Sequence, residues 1–186
     1  IFGQRAAVDD ISFTVEGPAF VGIIGRSGAG KSTFLRMMNR LTDATAGQIL
    51  VEGSDILALR GSAQRQWQSD CAMIFQQFNL LPFLSVRENV GLPCHFSRLR
   101  AERARKRHGS TDAAAASLLE HLGLAPELFE RRADALSIGQ QQRVAAARAL
   151  IGQPELVIAD EPTSALDADS REAFLKLLFS ECRAAG

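Results

Sequence analysis

Residues 25–32 read Gly-Arg-Ser-Gly-Ala-Gly-Lys-Ser, which has the spacing of a phosphate-binding loop, G-x-x-x-x-G-K-[ST]. A continuous apolar run, Phe20–Ile24, precedes this phosphate loop and predicts a strand, and apolar residues at helical spacing follow it from Lys31. Glycines let successive backbone N–H groups face a phosphate at the start of such a helix. The order of strand, glycine-rich loop and helix therefore predicts an α/β fold with a phosphate site.

Two side chains of the phosphate loop carry chemistry of their own. Lys31 supplies a mobile cation for the β and γ phosphates of a nucleotide. Ser32 supplies a hydroxyl that can ligate Mg²⁺, an ion that keeps several waters and takes other ligands from phosphate. The loop therefore predicts a nucleoside triphosphate bound with magnesium.

A second chemical signal lies at the end of a later apolar run. Leu156–Ala159 predicts a short buried parallel strand, and two carboxylates, Asp160 and Glu161, follow it. Asp160 is predicted on the magnesium side, and Glu161 is predicted to orient a water and accept its proton. A solvated acidic pair at a strand end is the alternative.

The remaining pattern divides into strand signals and helix signals. Further strands are predicted at 11–15, at Gln48–Val51 and at Cys71–Phe75. Between about Leu80 and Ile151 helix signals replace them and predict a helical insertion. Its markers are two capping boxes, Ser85 to Glu88 and Ser137 to Gln140, a helix over Ala113–Leu122, and the basic stretch Arg98–His108. We expect that basic stretch to be a mobile connection or a solvated helix face, with contact to an anionic surface as the alternative.

Composition excludes several classes of protein. Hydrophobic residues make up 46% of the 186 residues and charged residues 23%, which is typical of a globular protein. Lys plus Arg and Asp plus Glu number 21 each, so the sequence lacks the charge expected of a dedicated nucleic-acid binder. No apolar run is long enough to span a bilayer, and no signal sequence is expected.

The ordered motifs resemble those of ATP-binding-cassette (ABC) transporter ATPases. The motifs are the phosphate loop, Gln76 after an apolar strand, Leu136-Ser-Ile-Gly-Gln140, Leu156–Glu161 and Ser164-Ala-Leu-Asp167. The resemblance implies a P-loop NTPase core of RecA-like, ABC type, with an inserted α-helical subdomain. The expected division is an N-terminal core over 1–80, the helical subdomain over 81–151 and an incomplete C-terminal core over 152–186.

The resemblance also implies roles for single residues. Glu161, Gln76 and Lys31 are the implied catalytic residues, and Ser32, Gln76 and Asp160 the implied magnesium ligands. The implied ATP-binding residues are Phe2, Gly25, Ser27, Gly28, Ala29, Gly30, Lys31, Ser32, Thr33, Ser137, Gly139 and Gln140. Phe2 stands where the family stacks an aromatic ring on adenine, with an ordinary core phenylalanine as the alternative.

The family assembles in a characteristic way. The resemblance implies a head-to-tail dimer, of identical chains or with a second ATPase subunit, in which Ser137 and Gly139 of one subunit touch the γ phosphate bound by the other. Asp167 is implied to line the seam of that dimer. Transmembrane permease subunits are the implied partners, at the cytoplasmic face of the inner membrane, and no nucleic acid is expected.

Two departures from the family pattern affect these expectations. Ile138 stands at the position of the signature's first glycine, where a β-branched residue is expected to restrict the backbone and add bulk near a phosphate. The sequence also ends before the family's switch histidine, so we expect truncation at the C-terminus. Weakened contacts between subunits are predicted, and a nucleotide-binding module without hydrolysis is the rival interpretation.

The two halves of the sequence resemble different branches of the family. Phe20–Leu81 is similar to phosphonate importer ATPases, and the stretch from Leu81 onward is more similar to ATPases of lipoprotein-release and macrolide-export systems. Phosphonate import is the preferred hypothesis, with the second branch as the alternative.

Overall fold

The computed structural model describes residues 6–164 and 166–185. These residues form two compact units, with the boundary between Gln68 and Ser69. The expected subdomain limits at 80/81 and 151/152 differ from this boundary and stay a prediction.

The first unit is built from one helix beside the phosphate loop and a small hairpin. Its elements are α1 (Lys31–Met38), β1 (Leu50–Val51) and β2 (Ser54–Asp55), followed by a 3-10 turn (Ile56–Ala58) and α2 (Gly61–Asp70), which crosses the boundary. The hairpin pairs Leu50 with Asp55 and Val51 with Ser54. Its two turn residues, Glu52 and Gly53, both have positive φ, as a tight hairpin turn requires.

Two strands predicted ahead of the phosphate loop do not form. Residues 11–15 and 20–24 are irregular in the structure, and Ile24 is 97% exposed. Apolar alternation predicts which face of a strand would be buried, but a strand also needs a neighbour for its backbone hydrogen bonds. In the described ranges the strands pair only as β1 with β2 and as 72–74 with 157–159, so this segment has no ladder partner there. Phe13 instead packs against Phe34 of α1, with 5.9 Å between the ring centroids.

The second unit contains a parallel strand pair and a set of helices. The strands are β3 (Ala72–Ile74) and β4 (Val157–Ala159). The helices are α3 (Val86–Gly91), α4 (Pro93–Phe96), α5 (Arg98–His108), α6 (Thr111–His121), α7 (Ile138–Leu150) and α8 (Ala168–Ala185), with 3-10 turns at Pro126–Leu128 and Ala133–Ala135. The predicted strands at Cys71–Phe75 and Leu156–Ala159 are therefore confirmed, and they pair in parallel with Ala72 opposite Val157 and Ile74 opposite Ala159.

Helix α7 lies at the centre of the second unit. It packs against α3, α6, β3 and α8, and four consecutive residues, 144–147, are fully buried. Three of these four residues are alanines, whose small side chains allow neighbouring elements to approach closely. Both capping boxes predicted from the sequence are present, Ser85 with Glu88 at the start of α3 and Ser137 with Gln140 at the start of α7.

The basic stretch 98–108 is helix α5, so the expected mobile connection is wrong. Ser97 caps it by accepting a hydrogen bond from the amide of Arg100. Arg100 is only 3% exposed, and its guanidinium donates to the carbonyl oxygens of Arg148, Ala149 and Ile151 at 2.6–2.9 Å. Since the last carbonyls of a helix have no partner within it, Arg100 caps the C-terminus of α7. Burial lowers the pKa of the Arg100 guanidinium to about 10, which still leaves it charged at neutral pH.

The close contact between α5 and the end of α7 depends on a glycine. Gly152 has φ +70°, and a Cβ built on it lies 2.4 Å from the carbonyl oxygen of Arg100 and 2.6 Å from its Cα. Gly109 has a similar φ of +82°, but nothing lies within 4 Å of a Cβ built there.

We predict that Gly152→Ala lowers the free energy of unfolding by about 2–4 kcal/mol. Alanine would have to adopt a left-handed backbone conformation, and its Cβ would also clash with the backbone of Arg100, so the two costs add. Gly109→Ala is the matched control and carries only the strain, about 1–2 kcal/mol. Urea denaturation of both variants measures the difference. Equal losses would contradict the close packing of α5 on Gly152.

Candidate nucleotide-binding site

The phosphate loop leads directly into α1. The amide of Ala29 donates to the carbonyl oxygen of Arg26 at 3.1 Å, and the first hydrogen bond of the helix runs from the amide of Phe34 to Gly30. Gly30 precedes the helix with φ +88°, and a Cβ there would lie 2.0 Å from the carbonyl oxygen of Ala7. Only glycine fits this position, so the sequence requirement for it has a steric cause.

Lys31 folds back over the loop. Its Nζ donates to the carbonyl oxygens of Gly25 at 3.0 Å and Arg26 at 3.3 Å. The ammonium group therefore lies beside the backbone of the loop. This is the N-terminus of α1, where helix amides and the helix dipole favour an anion. The eight residues of the loop that were predicted to bind ATP all lie within the stretch 25–33.

A second group of predicted residues meets at one edge of the β3–β4 pair. Gln76 follows β3, while Asp160 and Glu161 follow β4 directly. The amide of Asp160 donates to the carbonyl oxygen of Ile74 at 2.9 Å, which extends the parallel ladder beyond β4. Because carboxyl ends of parallel strands share an edge, the pairing brings these three residues together. Asp160 is buried at 4% exposure, and Gln76 and Glu161 are exposed.

The turn after β4 is held from α7. Glu161 has a positive φ of 48°, and the amide of Ser164 donates back to its carbonyl oxygen at 3.1 Å. Gln142, in α7, is 1% exposed and donates from Nε2 to the carbonyl oxygen of Pro162. Sequence reasoning did not select Gln142, although a polar residue two positions before the apolar run 144–147 was a usable signal.

The segment Leu136–Gln140 forms the start of α7. Ser137 Oγ accepts from the amide of Gln140, and the Gln140 side chain accepts from the amide of Ser137 at 2.9 Å. Both predicted ligand side chains therefore stabilise the helix start in this structure. Gly139 is helical without a positive φ, and a Cβ on it would meet nothing within 4 Å.

The expected restriction of the backbone by Ile138 stays a prediction, and the structure shows the conformation of this residue. Ile138 is the first residue of α7, where a β-branched residue adopts ordinary helical angles. Its side chain is 56% exposed at the helix N-terminus. The expected effect of its bulk on a partner subunit stays a prediction.

Asp167 and Phe2 are the two remaining residues for which the sequence predicted a role. Asp167 caps α8, since its carboxylate accepts from the amide of Ser170 at 3.0 Å and from the Ser170 hydroxyl at 2.8 Å. Its implied place at a dimer seam stays a prediction. Phe2 lies outside the described residues.

Comparison with known proteins shows the family of the chain. The sequence profile of a family described as ABC transporter matches residues 8–164. The chain belongs to this ABC transporter family. It is 53% identical over 172 residues to "Phosphonates import ATP-binding protein PhnC 2" of Rhodopseudomonas palustris (strain BisB18), covering 89% of the chain and 61% of that relative. A relative from strain BisB5 of the same species, "Phosphonates import ATP-binding protein PhnC", is 49% identical over 179 residues, covering 95% of the chain and 66% of the relative. The chain thus spans less than two thirds of the length of these curated relatives.

Solved structures of the same family match the fold. The dimeric structure of MJ0796, described as a bacterial ABC transporter cassette, has a TM-score of 0.83 and 32% identity, with 100% of this chain and 79% of that chain covered. A post-hydrolysis state of MJ0796 bound to ADP and Pi has a TM-score of 0.72 and 34% identity, with 87% and 68% covered. The predicted P-loop NTPase fold of ABC type is therefore confirmed.

We predict that Ser137→Ala and Ser85→Ala each lower the free energy of unfolding by about 1 kcal/mol, because each removes the N-cap of one capping box. Denaturation curves of the two variants measure this. A loss confined to one variant would contradict the equivalence of the two caps. If the two losses of stability are equal, any loss of activity found only in Ser137→Ala reflects a role of Ser137 beyond helix capping.

Proposed function

We propose that the chain is the ATP-binding and ATP-hydrolysing part of an ABC transporter that powers a separate membrane permease. The observation that carries this proposal is the parallel β3–β4 pairing, which brings Gln76, Asp160 and Glu161 to one edge of the sheet. In the first unit, the phosphate loop and its lysine are the residues that we propose to hold the phosphates of ATP.

The donor set fits magnesium. Mg²⁺ is bound by one or two carboxylates, hydroxyl or amide oxygens and the nucleotide's own phosphates, without a cage of protein ligands. Ser32, Asp160 and Gln76 offer such oxygens, and no cluster of three or more His, Cys, Asp or Glu suited to a metal occurs in residues 6–164 and 166–185. When bound, the ion neutralises charge on the β and γ phosphates.

The proposed reaction asks the protein mainly to position groups. Backbone amides of the loop and the Lys31 ammonium hold the phosphates and offset their charge. Glu161 orients a water and accepts one of its protons as the water oxygen bonds to the γ phosphorus. The bond from that phosphorus to the bridging oxygen breaks, and ADP leaves with the electron pair. Gln76 contacts the same water and the metal in this proposal.

The proposed assembly is a head-to-tail dimer on a permease. Each site is then completed by the start of α7 from the other subunit, through Ser137 and Gly139. The dimeric relative MJ0796 supports this assembly. None of the helices in the described part of the chain is long and apolar enough to cross a membrane, and we propose peripheral attachment at the cytoplasmic face through the permease.

Phosphonate import is the proposed transport process. The supporting observation is the printed name of relatives that are 49–53% identical over 89–95% of the chain. The resemblance of the C-terminal half to lipoprotein-release and macrolide-export ATPases stays a prediction. Uptake of an alkylphosphonate by cells that carry the chain with its permease distinguishes the two processes.

We predict that Glu161→Gln lowers MgATP turnover by about 10²–10⁴-fold while ATP binding is kept, because the base is lost and the loop is intact. Lys31→Ala should weaken ATP binding by about 10- to 100-fold, as expected for the loss of charged hydrogen bonds. Phosphate release and calorimetric titration measure these effects in parallel. Rapid turnover by Glu161→Gln would remove Glu161 from the base role, and unchanged affinity in Lys31→Ala would contradict the phosphate site. ATP binding by a parent chain that shows no turnover would favour the rival non-hydrolysing module.

We predict that Ile138→Ala and Ile138→Gly, each combined with Glu161→Gln, strengthen ATP-dependent dimerisation to the same extent. The structure has Ile138 in ordinary helical conformation, so the bulk of the side chain and not the backbone is the expected obstacle. Sedimentation or light scattering with MgATP measures the dimer. If only Ile138→Gly strengthens dimerisation, the ATP-bound dimer needs a backbone conformation that glycine alone can adopt.

A further inference from the structure

The segment that follows Gln76 is held by an arginine of α7. Arg148 donates from one guanidinium nitrogen to the carbonyl oxygen of Asn79 at 2.7 Å and from the other to that of Phe78 at 2.5 Å. The five guanidinium N–H groups form a planar fork, so one side chain can serve both carbonyls at once. Arg148 therefore ties the last turn of α7 to the turn that follows the proposed catalytic glutamine.

This turn has a conformation that needs outside support. Phe78 and Asn79 have φ of +61° and +50°, and neither is glycine. Each such residue costs about 1–2 kcal/mol relative to a right-handed conformation. Strained backbone of this kind persists where the surrounding structure fixes it. The two carbonyls of these same residues are the ones that Arg148 binds.

Gln76 depends on this turn for its position. Its side chain is exposed and makes no hydrogen bond to any residue that the structure describes. On the far side, Asn89 of α3 fixes the chain again, accepting from the amide of Leu81 at 2.8 Å and donating to the carbonyl oxygens of Leu81 and Ser85 at 3.0 Å each. Of the side chains that bind this backbone, Arg148 acts nearer to Gln76 than Asn89 does.

Burial strengthens the anchor. It lowers the pKa of the Arg148 guanidinium, which nevertheless stays protonated at neutral pH. Hydrogen bonds from a charged donor are roughly twice as strong as neutral ones, and a low local dielectric increases the difference. Two such bonds are enough to offset the strain at Phe78 and Asn79.

The same helix reaches the other catalytic turn. Gln142 donates to the carbonyl oxygen of Pro162, one residue after Glu161, while its own Oε1 is buried without a hydrogen-bond partner. Two side chains of one rigid helix therefore hold the turns after β3 and after β4. Helix α7 therefore helps the β3–β4 pairing to fix the relative position of the two turns.

We infer that Arg148 is a positioning residue for ATP hydrolysis, which fixes the turn at Phe78 and Asn79 and thereby places Gln76 beside Glu161. The inference rests on the proposed function, because it assigns Gln76 to the water and the metal. Arg148 itself touches no substrate.

The test compares Arg148→Met with Arg143→Met in the whole chain. Arg143 lies on the same helix and donates to a single backbone carbonyl, that of Gly123 at 3.0 Å, away from both turns. We expect Arg148→Met to lower kcat by about 10- to 100-fold, as for a misplacement of about 1 Å, with KM for ATP changed less than about twofold. Amide hydrogen exchange in residues 76–81 should become faster in Arg148→Met alone.

A conservative variant separates positioning from folding. Arg148→Lys keeps the charge but has no planar fork, so kcat and exchange should lie between those of the parent and of Arg148→Met. If Arg148→Met fails to fold, Arg148→Lys against Arg143→Lys decides the question by the same two readouts. Unchanged kcat, or unchanged exchange at 76–81, in a folded Arg148 variant would overturn the inference.

The outcomes also separate this inference from the proposed function. A parent chain without turnover would contradict the proposed hydrolysis, and exchange at 76–81 would still decide whether Arg148 fixes the turn. A parent with turnover, together with equal kcat in the Arg148 and Arg143 variants, would leave the proposed function in place and remove Arg148 from it.

Discussion

The parallel backbone pairing of β3 with β4 is the constraint on which the second unit depends. These strands are separated in sequence by 82 residues, from 75 to 156, and most of these are helical. Bringing such distant segments together costs loop-closure entropy, so the pairing must be supported by burial. Ile74 and Ile158 are 0% and 4% exposed, and α7 packs directly against β3. The arrangement that brings Gln76 to Asp160 and Glu161 is therefore the one that buries the apolar strands.

Helix α7 combines two tasks that usually belong to different elements. Its small buried residues pack the centre of the second unit, and its polar residues, Gln142 and Arg148, hold backbone carbonyls of the two turns at the sheet edge. A helix is stiff over this length, whereas the turns are not. The positions of the exposed side chains Gln76 and Glu161 therefore depend on α7, which holds the backbone that carries them.

Prediction from the sequence was most accurate where neighbouring residues alone determine the local structure. The phosphate loop, the two capping boxes and the apolar runs of β3 and β4 each specify their structure within a few residues, and all are present. It failed at 11–15 and 20–24, because a strand is completed by a neighbour that no local pattern supplies. For 98–108 the sequence left a mobile connection and a helix face open, and it did not indicate that Arg100 and the Ser97 cap tie this helix to the rest of the unit. The roles of Gln142 and Arg148 were out of reach for a related reason, as their acceptors lie 20 and about 70 residues away in the chain.

The contact of Arg100 with the end of α7 has a consequence for exchanging parts between related proteins. The arginine comes from α5, the carbonyls from α7, and the space for their approach from Gly152. A chimaera that replaces the helical region while leaving either partner behind would bury an unpaired cation or leave helix carbonyls without donors. Residues 97–152 therefore have to be exchanged together if this contact is to be kept.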